Sequence, residues 1–347
     1  MKCKAAILEK LNAPLILREV EIPNLCCGQV LVKVQASSIC GAQLREISGA
    51  KGEDKYLPHL LGHEGGGIVA DIGEGVTQVR MGDHVVLHWR KGLGVESSFP
   101  RYKCGDEIIG GGSVTTFNEY AVISENRLTV IDKSILFQIA ALMGCSVTTG
   151  LGLINNEAEL KIGQSIAIIG CGGVGLNVVQ GADMVSANPI IAIDRDKEKV
   201  LRAAELGATH GVLNDNEDVD IISEVYKITG KRGVDVVVDC TGDVGLINIG
   251  YKITSSMGKM ILVGQPRYNE NLILSSMSDH YCGKIIMDSQ GGLTDPTVDI
   301  PRYLNLYLQG KLHLDSLISH RFFLNEINES LDLIRQGMGN KHILQMN

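Results

Sequence analysis

Residues Gly170-Cys171-Gly172-Gly173-Val174-Gly175 spell G-x-G-x-x-G, and no other feature restricts the fold of this 347-residue chain so tightly. In a sequence with 41 glycines the pattern alone says little. Its surroundings make it specific. A short apolar run (165–169) precedes it, a helical stretch to about residue 186 follows, and a second apolar run (190–193) ends at Asp194, 19 residues beyond Gly175. A dinucleotide loop has this order, with a carboxylate about 20 residues on to accept the ribose hydroxyls. Gly170 makes the turn, Gly172 lets a diphosphate approach the backbone, and Gly175 lets helix and strand pack closely. The helix N-terminus opened by Gly173 and Val174 faces the anion. Asp194 would repel a 2′-phosphate, so the expected cofactor is NAD, although Arg195 beside it is a group that could pair with that phosphate.

The pattern continues downstream. Apolar runs at 234–238, 260–263 and 284–287 alternate with helical stretches such as 196–206, which Gly207 stops. Short buried strands alternating with helices require parallel βαβ units in a doubly wound sheet. Upstream, residues 1–150 are β-rich: alternating runs at 30–34 and 84–87 are separated by Gly, Asn and Asp turns. The tail from 291 reads as mixed, with helices near 299–309 and 324–336, and is too short to fold alone. The expected division is an α/β chain with one domain from 1–150 plus 291–347 and a Rossmann domain from 151–290.

The formal charge of −8 argues against nucleic acid as a partner, since phosphate binding needs a basic face. No apolar stretch approaches the roughly 18 residues that a membrane span requires, and the start has too short an apolar run for a signal peptide. Nine irregularly spaced cysteines suggest reduced thiols plus a metal site, not a disulfide framework, which makes the cytoplasm the expected compartment.

Metal-competent residues lie in glycine-bounded turns. His63 and Glu64 stand in LLGHEGGG, Cys40 in SSICG, and Cys145 in GCSVTTG just before the dinucleotide motif. Two cysteines and a histidine form a known catalytic zinc set that leaves a fourth position open. Each alone is more simply a buried thiol or a hydrogen-bonded imidazole.

The order C-G, G-H-E-x-x-G, G-C-x-x-x-T-G, G-x-G-G-V-G, D resembles the zinc alcohol dehydrogenase branch of the medium-chain dehydrogenase/reductase superfamily. The likeness extends to EVEIPNLCCGQVLVKV, GDHVV, TTFNEYAVI and DLIRQGMGNKHIL, nearly the whole chain. It implies a GroES-like catalytic domain joined to the Rossmann domain, and one catalytic zinc held by Cys40, His63 and Cys145. Glu64 would be an exchangeable or neighbouring carboxylate. The resemblance also implies that Thr149 and Val174 pack on the nicotinamide, that Val263 and Gly264 approach its carboxamide, and that Lys199 and Lys341 touch adenosine ribose and diphosphate. Trp89 and Phe117 would line the substrate pocket. Relatives pair Rossmann edge strands, so a homodimer or homotetramer is expected, with 284–287 as the edge.

Three departures from the family pattern bear on chemistry. The stretch where many relatives carry four cysteines around a structural zinc holds only Cys104, so no structural zinc is expected. Ala42 stands where a relay hydroxyl is usual, Gln43 replaces an acidic neighbour, and Arg45 occupies a frequent relay-histidine position. Gly41 replaces a diphosphate-clamping arginine of some relatives. The expected activity is hydride transfer between an alcohol and NAD. The missing hydroxyl, with Arg45 and Arg90 in the sequence neighbourhood, points to a polyol or sugar derivative. Two rivals are a zinc-free NADPH-dependent reductase of the same superfamily and a non-catalytic NAD-binding protein.

Overall fold

The computed structural model describes residues 1–215, 219–274 and 280–346. The chain forms two compact units, Met1–Thr148 with Asp295–Asn347, and Thr149–Thr294.

In the first unit, strands Lys2–Leu8, Ile16–Glu21, Arg101–Cys104, Glu107–Gly110 and His59–Leu60 close a barrel. A second sheet runs in the order Leu128–Ile131, His84–His88, Glu64–Ile72, Gln29–Ser38, Lys341–Gln345, Ile318–Phe323, with Tyr120–Ser124 also pairing with Gln29–Ser38. Alternation decides which face is buried. Val30, Val32 and Val34 point inward and pack with Val69, Val85 and Leu87, while Lys33 between them is exposed. The tail is not all helix and turn. Between the helices Pro296–Leu308 and Ile327–Arg335 lies Ile318–Phe323, which pairs in parallel with Lys341–Gln345, and that strand joins the sheet next to Gln29–Ser38. Cys104 sits in the barrel hairpin with its thiol 3.3 Å from the Glu19 carbonyl. The neighbouring loop is held by Glu125, whose fully buried carboxylate accepts the backbone N–H groups of Thr77, Gln78 and Val95 at 2.8–3.0 Å.

His88 ends a strand of this sheet and is fully buried. Its Nδ1–H donates to the Arg90 carbonyl (2.7 Å) and its Nε2 faces the Thr129 hydroxyl (3.0 Å). Burial, then the charge of Arg127, pulls the imidazole from 6.5 to about 4. The unfolded chain therefore binds this proton first, and stability falls as pH drops from 6.5 towards 4. At 1.36 kcal/mol per unit the loss is about 3 kcal/mol from this residue. Urea unfolding at pH 7.5 and pH 5 should register the fall, and His88→Gln should flatten it. An unchanged pH profile in the variant would remove His88 as the cause.

The second unit is a six-stranded, all-parallel sheet in the order His210–Leu213, Ile190–Asp194, Ile166–Ile169, Val234–Asp239, Thr254–Leu262, Ile285–Asp288. In sequence terms this is 3-2-1-4-5-6, the doubly wound order whose switch point lies between strands 1 and 4. Its core is Ile169, Ile191, Ile193, Val237 and Met260, covered on one face by Val225, Ile247 and Tyr251. Strands buried on both faces read as continuous apolar runs, which is why they were visible in the sequence.

Candidate metal centre and dinucleotide loop

Cys40 follows the strand Gln29–Ser38 and caps the helix Gly41–Ile47 in extended conformation. His63 immediately precedes the strand Glu64–Ile72. Cys145 lies between the helices Phe137–Met143 and Ser146–Gly152. Gly144 makes the last placement possible: a Cβ there would stand 2.7 Å from the Glu64 Cα and closer still to the Leu87 carbonyl. No other residue lets Cys145 approach the His63–Glu64 strand so closely. The ligand atoms of Cys40, His63 and Cys145 thus converge within 4.8 Å of one another.

The chemistry of this set fits a metal ion. His63 Nδ1 is hydrogen-bonded to Gln43 Nε2, whereas its Nε2 is buried and has no hydrogen-bond partner. Leaving such an atom unsatisfied is costly, and a cation held with the two sulfurs would satisfy it. The two thiols act on each other: the neighbouring Cys145 thiol pulls Cys40 well below the ordinary thiol range, and Cys40 in turn, with burial, pushes Cys145 well above it. Burial would lower His63, but the Cys40 sulfur and the Glu64 carboxylate outweigh it and hold the imidazole above its usual value.

Glu64 is fully buried and lies outside this three-residue cluster. Its Oε1 is 2.5 Å from Lys341 Nζ, and its Oε2 accepts the Ser146 N–H at 3.3 Å. Lys341 Nζ also donates to the Ile39 carbonyl (3.2 Å). Burial opposes the lysine's charge, but Glu64 first and Cys40 second hold its ionisation above the ordinary value. The cation therefore backs the metal-ligand cluster here, through a pairing of residues 277 positions apart that no local pattern marks.

In the second unit the loop 170–175 links the strand Ile166–Ile169 to the helix Gly173–Met184. A Cβ on Gly175 would collide with the Gly170 carbonyl, so the tight crossing of strand and helix admits only glycine. At Gly172 the reverse holds: nothing lies within 4 Å of where a Cβ would be. Asp194 ends the neighbouring strand and is locked by two backbone donors, Cys171 N–H to Oδ2 (2.7 Å) and Asp196 N–H to Oδ1 (2.9 Å). Lys199 lies on the following helix, 3.8 Å from Asp196. Val263 and Gly264 leave the sheet at the same, carboxyl end, both donating to the Asp239 carbonyl. Thr149, in the helix Ser146–Gly152, is buried, and Val174 lies in the first turn of the dinucleotide helix. Phe117 is fully enclosed in a cluster with Ala6, Leu8, Ile47 and Leu61, so its ring is core. Trp89 is half-buried, with the Arg90 guanidinium 5.8 Å over its ring and its carbonyl accepting from Arg127.

A Cys₂His cluster in one unit and a 3-2-1-4-5-6 sheet with a glycine-rich loop in the other define a metal-dependent dehydrogenase architecture. Comparison with known proteins agrees. Residues 27–133 match the alcohol dehydrogenase GroES-like domain, and residues 173–304 match the zinc-binding dehydrogenase domain. The chain is 30% identical to an S-(hydroxymethyl)glutathione dehydrogenase of Synechocystis, over 99% of this chain and 100% of that one. It is 29% identical to an alcohol dehydrogenase class-3 of Cereibacter sphaeroides, over 97% and 98%. Among solved structures it superimposes on benzyl alcohol dehydrogenase from Acinetobacter calcoaceticus with TM-score 0.89, 27% identity and full coverage of both chains. A zinc-binding dehydrogenase from Sinorhizobium meliloti bound to NADP shares the fold at 23% identity, with TM-score 0.81 and 99% coverage of both chains. The chain belongs to the zinc-dependent alcohol dehydrogenase family of the medium-chain dehydrogenase/reductase superfamily. Among the described residues no single helix is long and apolar enough to cross a membrane.

Proposed function

We propose that this enzyme oxidises an alcohol to its aldehyde or ketone with NAD, using one catalytic zinc per chain and no structural zinc. The orphaned His63 Nε2 facing a thiol pair is the observation that carries the reading. Bound zinc supplies a Lewis acid for the substrate oxygen, and NAD supplies the hydride acceptor.

The chain's own residues supply position. Cys40, Cys145 and His63 hold the metal; Gln43 orients the imidazole; Glu64 and Lys341 form a charge-balanced floor beside the two sulfurs. Asp194, fixed by two N–H donors, offers its remaining lone pairs to the ribose hydroxyls. The open space at Gly172 and the N–H groups of the helix Gly173–Met184 suit a diphosphate. Thr149, Val174, Val263 and Gly264 are assigned to the nicotinamide end, Lys199 to the adenosine end, and the half-exposed Trp89 to the substrate. Lys341 reaches the diphosphate in this reading only by leaving Glu64.

Ala42 has no hydroxyl with which to start a proton relay, which leaves Glu64, water or a substrate hydroxyl to carry the proton away. That favours a polyol or sugar derivative with a neighbouring hydroxyl of its own. The relatives named for S-(hydroxymethyl)glutathione support a second substrate reading, a hydroxymethyl thioether. Nine free thiols suit the reducing cytoplasm, and the partly exposed edge strand Ile285–Asp288 suits pairing into a homodimer or homotetramer.

The test is steady-state kinetics with NAD and NADP on a panel of polyols, S-(hydroxymethyl)glutathione and benzyl alcohol. NAD should be preferred. Asp194→Ala should lower kcat/KM for NAD by about 10- to 100-fold, the worth of hydrogen bonds to a charged acceptor, and NADP far less. The ratio between cofactors cancels any general loss of stability. A wild-type preference for NADP would overturn the cofactor assignment, and simple alcohols outrunning polyols would overturn the substrate class.

A further inference from the structure

Gln43 is fully buried and bridges two of the three metal-competent residues. Its Oε1 accepts the Cys40 backbone N–H at 2.9 Å, and its Nε2 donates to His63 Nδ1. Both ends of the amide are matched when Nδ1 accepts, which in a neutral ring places the imidazole proton on Nε2. Ligation through Nε2 reverses this. The imidazole proton must then sit on Nδ1, and two N–H donors, those of Cys40 and His63, face one amide. An amide presents a single oxygen end, so turning it over satisfies His63 and abandons Cys40. A carboxylate in the same place would accept from both.

We infer that Gln43 is a positioning residue that matches the metal-free centre and mismatches the loaded one, so that this enzyme holds its zinc loosely and exchanges it readily. The inference rests on the proposed Cys40–His63–Cys145 zinc site and adds to it a reason for lability. Partners of metal-bound histidines commonly change metal affinity by about 10- to 100-fold when altered.

Zinc affinity is to be measured by competition with a chromophoric chelator for the full-length wild type, Gln43→Glu and Gln43→Leu. Gln43→Glu should bind zinc at least about tenfold more tightly than wild type, and Gln43→Leu, which accepts from neither donor, no more tightly. Since added negative charge alone would favour zinc, a second readout is required. Histidine ¹⁵N spectra of the zinc-free wild type, with His63 assigned by its absence in His63→Ala, should show Nδ1 unprotonated, and zinc should move the proton onto Nδ1. A Gln43→Glu variant no tighter than wild type, or a wild-type Nδ1 already protonated without zinc, overturns the role of Gln43 while leaving the zinc site standing. Failure of every variant to bind zinc overturns the site itself and this inference with it.

Discussion

Replacing His63 by alanine is expected to reduce zinc to well below one ion per chain and to lower kcat/KM by about a thousandfold or more. The magnitude follows from what is removed. Polarisation of the substrate oxygen by the metal is worth several kcal/mol, and each 1.36 kcal/mol is tenfold in rate. The fold should survive, because the imidazole donates nothing to a strand ladder, its Nε2 has no partner to lose, and the one bond removed is that between its Nδ1 and Gln43 Nε2. Circular dichroism and the melting temperature therefore separate lost metal from lost structure. Cys40→Ala and Cys145→Ala should behave alike. Cys104→Ser is the control: its thiol belongs to the barrel hairpin, outside both metal-competent clusters among the described residues, and zinc content should not change. Full zinc and activity in His63→Ala would end the case for this centre.

The dinucleotide unit was the most legible part of the sequence, for a physical reason. Strands buried on both faces appear as unbroken apolar runs, and the loop between the first strand and helix admits glycine only where backbone atoms nearly touch, as Gly175 does with Gly170. What escaped was weakly patterned. His210–Leu213 is a sheet edge of four residues, two of them exposed, so its composition hardly differs from a loop. Lys341–Gln345 begins with a lysine and a histidine, and nothing local marks it as a central strand. Its burial is imposed by neighbours from the opposite end of the chain, at Gln29–Ser38. The candidate centre divides the same way. Residue types and order made Cys40, His63 and Cys145 visible. The links among supporting residues depend on side-chain direction, so Gln43 read only as a missing acid, and Lys341 gave no hint of lying against Glu64. Phe117, assigned to the pocket by resemblance, is held in the core by a set of contacts that no motif encodes.

The Glu64–Lys341 pair should be the most consequential of these unseen contacts for stability. Both side chains are almost completely buried, and the charge of each acts on the sulfur ligands. Lys341→Met would leave a carboxylate buried without its cation, and removing one partner of a buried ion pair costs about 3–5 kcal/mol. Glu64→Leu would strand the ammonium in the same way. The double variant, with neither charge, should recover most of the loss, because desolvating the intact pair had already consumed much of its attraction. Trp89 is the chain's one tryptophan and lies in the same compact unit, so its fluorescence in urea reports the relevant unfolding. The three variants should be measured with chelator present, to keep metal binding out of the comparison. A Lys341→Met variant within about 1 kcal/mol of wild type, the range of an exposed pair, would mean that water reaches this site and that Glu64 is free to turn towards the metal.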